Sequence, residues 1–163
     1  MQFSTDVTFP APVEAVAGML ATEAYVRETV AATGSAGRVE VVRAPDGTVT
    51  ITTRQRLSAD RIPAAYRSLV GGSLEIHRVD VWEAPAGSSR HGTLAIDVTG
   101  APVRVTGTLA LAPAAEGSSL TFAGVVKAAV PFVARAIERA IAERVDEAVA
   151  IERDVGTRWL AGG

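Results

Sequence analysis

The chain has 163 residues, one domain's worth, and is 48% hydrophobic and 21% charged, the profile of a folded globular protein rather than a disordered or fibrous one. Its net charge of −2 supplies no bulk attraction to nucleic acid or anionic membrane. It has no cysteine, which excludes disulfides, thiolate metal sites and thiol catalysis, and its two histidines, His77 and His91, are too few for a His-rich metal site.

Residues 2–9 alternate with period 2: Phe3, Thr5, Val7 and Phe9 share one side, which predicts a half-buried strand. Pro10 and Pro12 stop it, and Pro12 suits the start of a helix. Residues 13–33 then read as two short helices. Val13, Val16 and Leu20 carry the first, and Tyr25, Val26 and Val30 the second, with Thr22 as its N-cap. Gly34 and Gly37 end this segment.

A series of strands follows. Residues 38–44 and 48–57 flank a Pro45-Asp46-Gly47 turn, where Pro presets φ and Gly tolerates positive φ. In the second strand Val49, Ile51, Thr53, Gln55 and Leu57 face the apolar side, and Arg54 and Arg56 the solvated side. Residues 60–72 interrupt the strands. Asp60 can cap, Pro63 can open a short helix around Ala64–Leu69, and Gly71-Gly72 can end it. Strands resume at 73–83, 91–99, 103–112 and 119–127, separated by Gly- and Pro-containing turns.

From Pro131 to Leu160 the period changes. Val133, Ile137, Ile141, Val145, Ala148, Val155 and Trp159 form a helical stripe, and most charged residues lie off it. About thirty residues make a helix of roughly 45 Å. The predicted order is β-α-α-β-β-(short α)-β-β-β-β-α in a single domain spanning 1–163. A sheet with one apolar face must be covered, and the last helix is the large cover available. The fold class is α+β: a curved antiparallel sheet of seven strands gripping a long C-terminal helix.

Three stretches carry a resemblance to a known family: Arg78-Val79-Asp80-Val81-Trp82 in a middle strand, Gly100-Ala101-Pro102-Val103 before the next, and Val130-Pro131-Phe132-Val133 opening the last helix. With the element order, they make the whole chain resemble the START-like helix-grip superfamily of lipid-transfer domains, pollen-allergen proteins and polyketide cyclases. It is most similar to an actinobacterial single-domain group with no assigned function. That group often has glycines after the proline, where Ala134, Arg135 and Ala136 stand here. These motifs are structural punctuation, so the resemblance implies a fold and a cavity rather than an activity.

No nucleophile elbow, dinucleotide fingerprint, zincin motif or EF-hand loop is present, and the one lysine, Lys127, lies in a strand, which argues against a P-loop. No catalytic residue, metal or cofactor is expected. The most informative stretch is Leu74–Trp82. Strict alternation turns Leu74, Ile76, Arg78, Asp80 and Trp82 inward, with Arg78 and Asp80 a partly buried pair that could orient a polar head or move a proton. A β-bulge near His77–Arg78 would reverse the phase and turn Val79 and Val81 inward instead; that bulged or solvated arrangement is the slightly favoured one.

A cavity between sheet and last helix would be lined by Gln55, Tyr66, Ile76, Arg78, Asp80, Ile96, Leu109, Phe122, Val133, Ile137 and Ile141. Gln55 is a polar amide on an apolar face, and Tyr66 sits beside the cavity mouth. His77 should face solvent, His91 should lie in a loop, and Trp159 should anchor the core.

Three functions fit this reading. The first is a carrier of a small apolar or amphipathic molecule, such as a lipid or polyketide. The second is a cyclase- or hydrolase-type enzyme using cavity polar groups. The third is a filled-core interaction module, with a second copy of the chain as partner. Nucleic acid is not an expected partner. The first residues lack a basic, then apolar, leader, and the apolar run Ala123–Ala134 is broken by Lys127 and Pro131. The expected location is the cytoplasm, without stable membrane insertion.

Overall fold

The computed structural model describes residues 1–70 and 72–162. The strands are β1 (Gln2–Phe9), β2 (Ala36–Arg43), β3 (Val49–Ser58), β4 (Ser73–Trp82), β5 (Arg90–Thr99), β6 (Val103–Ala114) and β7 (Gly117–Ala128). The helices are α1 (Val13–Leu20), α2 (Glu23–Ala32) and α3 (Ala134–Leu160), with 3-10 turns at Ala59–Arg61 and Ala64–Leu69. This is the predicted order. Of the Gly71-Gly72 stop, Gly71 lies outside the described residues.

All seven strands join one antiparallel sheet in the order β1-β7-β6-β5-β4-β3-β2. Gly37, expected in a loop, is the second residue of β2, and β6 and β7 run further than alternation indicated. The Pro45-Asp46-Gly47 turn forms as expected: Gly47 has φ 93°, and Asp46 Oδ1 accepts from the Thr48 amide at 2.9 Å. Thr22 holds the N-cap position of α2, but its hydroxyl donates back to the Gly18 carbonyl at 2.7 Å instead of capping.

The register sorts the connections to two ends. Residues 10–12, 44–48, 83–89 and 115–116 lie at one end, and residues 59–70, 72, 100–102 and 129–133 at the other. The first end is solidly packed. Phe9, Val16, Leu111 and Leu120 are fully buried there, and the buried Ser118 hydroxyl donates to the Ala11 carbonyl at 2.7 Å. Arg90, also buried, donates to the carbonyls of Gly87 and Ser89 and pairs with Glu14 of α1.

The 27 residues of α3 extend about 40 Å. Its buried residues, Val149, Glu152, Val155 and Gly156, all fall in its C-terminal half. Gly156, the one glycine of the stripe region, is where the helix comes closest to the sheet and α1. A Cβ there would stand 2.5 Å from Phe9 Cε1 and 3.0 Å from Met19 Cε. Close approach therefore outweighs the roughly 1 kcal/mol of helix propensity that Gly gives up to Ala. Trp159 packs edge-on to Tyr25 of α2, with centroids 5.8 Å apart, as the core anchor expected.

Two expected outcomes follow from this division. Leu111→Ala, at the packed end, should cost about 2–5 kcal/mol in denaturant unfolding, and Ile96→Ala, on the half-buried wall at the other end, less than half as much. Gly156→Val should lower stability by about 1–3 kcal/mol through overpacking against Phe9, with the melting temperature as the readout.

Candidate functional site: an apolar cavity with a buried charge cluster

Beneath the N-terminal half of α3 lies a cavity of about 530 Å³. Its floor is the inner face of β3–β6, and its other walls are α2, α3 and the Ile62–Val70 segment. Ten of the eleven expected lining residues meet here: Gln55, Tyr66, Ile76, Arg78, Asp80, Ile96, Leu109, Phe122, Ile137 and Ile141. Val133 is not among them. The helical stripe was extended one turn too far: residues 131–133 form a turn, Phe132 has φ 67°, and Val133 occupies the N-cap position of α3.

The bulge in β4 does not occur. β4 pairs without interruption, from Ser58↔Ser73 to Val49↔Trp82 on one side and from Glu75↔Thr99 to Trp82↔Gly92 on the other. Strict alternation therefore holds. Leu74, Ile76, Arg78, Asp80 and Trp82 all line the cavity, and Val79 and Val81 do not. His77 lies on the opposite face, half-buried. His91, expected in a loop, is instead the second residue of β5, exposed on the outer face. Arg54 and Arg56 are exposed, as expected.

Arg78 and Asp80 project side by side from one strand face, and their side chains close a two-point fork. Arg78 Nε donates to Asp80 Oδ1 at 2.8 Å, and Nη2 donates to Oδ2 at 2.6 Å. The guanidinium carbon stands 6.0 Å from the centre of the Phe122 ring. Burial works against the Arg78 charge, but the charge and hydrogen bonds of Asp80 more than offset it and raise the guanidinium pKa further.

A third charged group comes from α3. Glu152 is 9% exposed and lines the same cavity. Tyr25 of α2, buried, donates its hydroxyl to the Glu152 main-chain oxygen at 3.2 Å. Among the described residues the Glu152 carboxyl has no ion-pair or hydrogen-bond partner of its own. Burial pushes this carboxyl up to about 7; Arg78 pulls against the rise and Asp80 adds to it. Burial and the Glu152 charge together raise the Tyr25 phenol well above its ordinary range. Thr53, opposite Arg78 in the register, is 5% exposed, and its Oγ1 is buried without a partner.

Sequence reasoning missed Glu152, although its position carried a signal. The stripe steps by three or four residues from Ile137 to Ala148 and from Val155 to Trp159, and the next step after Ala148 falls on 151 or 152. An acid at that step is an acid on the buried face. Among the described residues no three His, Asp or Glu side chains converge to hold a metal ion, and no helix is long and apolar enough to cross a membrane.

An antiparallel seven-stranded sheet closed over a long C-terminal helix is the START-like helix-grip fold. Solved structures with this architecture include TTHA0849 from Thermus thermophilus, at TM-score 0.66 and 12% identity over 99% of this chain and 98% of that one. A START superfamily protein from Mycobacterium smegmatis matches at TM-score 0.60 and 13% identity, over 97% and 98% of the two chains. A STAR-related lipid transfer protein from Xanthomonas axonopodis matches at TM-score 0.60 and 15% identity, over 94% and 84%. By sequence, residues 4–160 match the model of DUF2505, a protein family of unknown function, and the chain belongs to that family. An uncharacterized protein of Mycobacterium tuberculosis is 28% identical over 117 residues, 71% of this chain and 67% of that protein.

The Glu152 carboxyl makes a stability prediction whose sign can be worked out. The folded chain keeps its proton up to about pH 7, whereas an unfolded chain releases it near 4.3. Glu152 thus favours the folded state most below about pH 4, and this contribution, about 4 kcal/mol at most, is lost progressively as pH rises from there through about 7. Glu152→Gln should remove that slope. The check is the difference in unfolding free energy between the two proteins across about pH 5 to 7.5, in which the histidines cancel.

Proposed function

We propose that this protein binds a small amphipathic molecule, with its apolar body in the cavity and its polar head at the Arg78–Asp80–Glu152 cluster. The observation that carries this reading is the composition of one half-open cavity. About 530 Å³ is within the range of small-molecule sites. Its wall is mainly aliphatic and aromatic, and Arg78, Asp80 and Glu152 come together on it. A binding pocket needs that arrangement: apolar contact for affinity and a few placed polar groups for orientation. The same space speaks against the filled-core interaction module. Likeness to a STAR-related lipid transfer protein supports the reading at the level of fold.

Tyr66 and Leu69, on the turn beside the cavity, and Arg144 and Glu147, on the exposed flank of α3, mark its mouth. A ligand would enter there and run toward β4. Ala140 and Ala148 on α3 keep that route wide, because a larger side chain at either would project into it.

A neutral apolar dye such as Nile red tests the proposal. One molecule per chain should bind saturably, with a blue-shifted emission. Ala140→Trp or Ile96→Trp should weaken binding roughly tenfold by filling the space, while the far-ultraviolet circular dichroism stays unchanged. Absence of saturable binding, or equal binding by both filled variants, would refute it.

A second reading, acid–base catalysis, has one specific observation in its favour. Glu152 holds a carboxyl balanced near neutrality in an apolar space, the condition in which such a group both gives and takes protons. It would keep the same cavity and the same ligand pose.

A further inference from the structure

The charged groups lining the cavity are three guanidiniums and three carboxyls, unevenly placed. Arg78 is held at two points by Asp80. At the mouth Arg144 pairs with Glu147 at 2.6 Å, and Arg61 donates to the Thr33 carbonyl at 2.8 Å. Arg78 and Arg144 are thus ion-paired, and Arg61 holds only a main-chain oxygen. Of the carboxyl groups, Asp80 and Glu147 are paired and Glu152 is not. Arg61, exposed at the rim, has its charge screened by water, whereas Glu152 is 9% exposed, with Tyr25, Arg78 and Asp80 beside it. The inner cluster therefore sets two carboxyl groups against one guanidinium.

We propose that the cluster selects a ligand with a protonated organic amine as its head, held by Glu152, and rejects one with a carboxylate or phosphate head. This rests on the cavity-binding reading above and names the ligand class for it. An anionic head would add like charge where no cation is free to receive it. An ammonium head supplies the missing counter-charge. Trp82 lines the same space, and an aromatic ring suits a cation better than an anion.

Proton linkage follows from the same geometry. The groups facing Glu152 are Arg78 and Asp80 from β4 and Tyr25 from α2. Arg78 and Tyr25 are both driven away from titration near neutrality, so Glu152 carries the change. An ammonium head binds the ionised carboxylate, and its affinity should rise with pH as Glu152 loses its proton.

Three probes of one chain length separate the possibilities: decylammonium, decanol and decanoate, each titrated calorimetrically below its micelle concentration. Decylammonium should bind at least about tenfold tighter than decanoate at about pH 8, and should weaken roughly tenfold at about pH 6 as Glu152 takes up its proton. The amine stays charged at both values. Glu152→Gln should erase the preference and the pH dependence together. Decanoate binding as tightly as decylammonium to the unaltered protein would overturn the proposal, as would a preference that survives in Glu152→Gln. Binding of none of the three would instead overturn the cavity-binding reading beneath it.

Discussion

Seven strands about 4.8 Å apart make a sheet some 29 Å across, whereas one α-helix with its side chains is about 10 Å wide. A single helix cannot fill the concave face of such a sheet. Here α3 lies toward one side, packed on β1, β7, α1 and α2. At the closed end the difference is made up by α1 and by large side chains such as Phe9 and Leu111. At the other end nothing of that size is supplied, and the inner faces of β3–β5 look into open space. The cavity is thus a consequence of the width mismatch, retained because Ala140 and Ala148 stand where larger residues would fill it.

Placing charge in that space runs against the stability of the fold. A buried ion pair gains little over well-packed apolar residues, because desolvation consumes most of the attraction. Arg78 and Asp80 limit this cost by neighbouring each other on one strand face, so that a two-point fork forms within β4. Glu152 has no such compensation, and its response is the one physics offers: it holds its proton to about 7. A carboxyl in this condition contributes nothing to packing that Leu would not contribute better. Its place is understandable where the cavity is occupied by a group able to meet it.

The strands were legible in the sequence because each has one wet and one buried face, and period-2 alternation records that directly. The turn at Pro45-Asp46-Gly47 and the short helix at Ala64–Leu69 were legible for the same local reason. The phase of β4 was not. A bulge shifts alternation by one residue and leaves no mark in the residue types of Arg78-Val79-Asp80-Val81; the continuous register with both β3 and β5 decides it, and neither neighbour's register is written in β4 itself. Val133 failed for a different reason. Its type and spacing fit the stripe, but the backbone before it turns through a left-handed Phe132, so α3 begins one residue later. Glu152 was hidden by its chemistry: reading apolar residues to trace a buried face passes over the acid that shares it.

The cluster also joins parts of the fold that the core alone would leave independent. Arg78 and Asp80 belong to the sheet, Glu152 to α3, and Tyr25 to α2, whose hydroxyl holds the main chain of Glu152 itself. Tyr25 in turn meets Trp159 one further stretch along α3. The residue with the titratable carboxyl is therefore also a point at which α2 and α3 are tied. Glu152 lines the cavity while its main-chain oxygen accepts from Tyr25, and one turn beyond it Gly156 seats α3 against Phe9 at the solid end of the core.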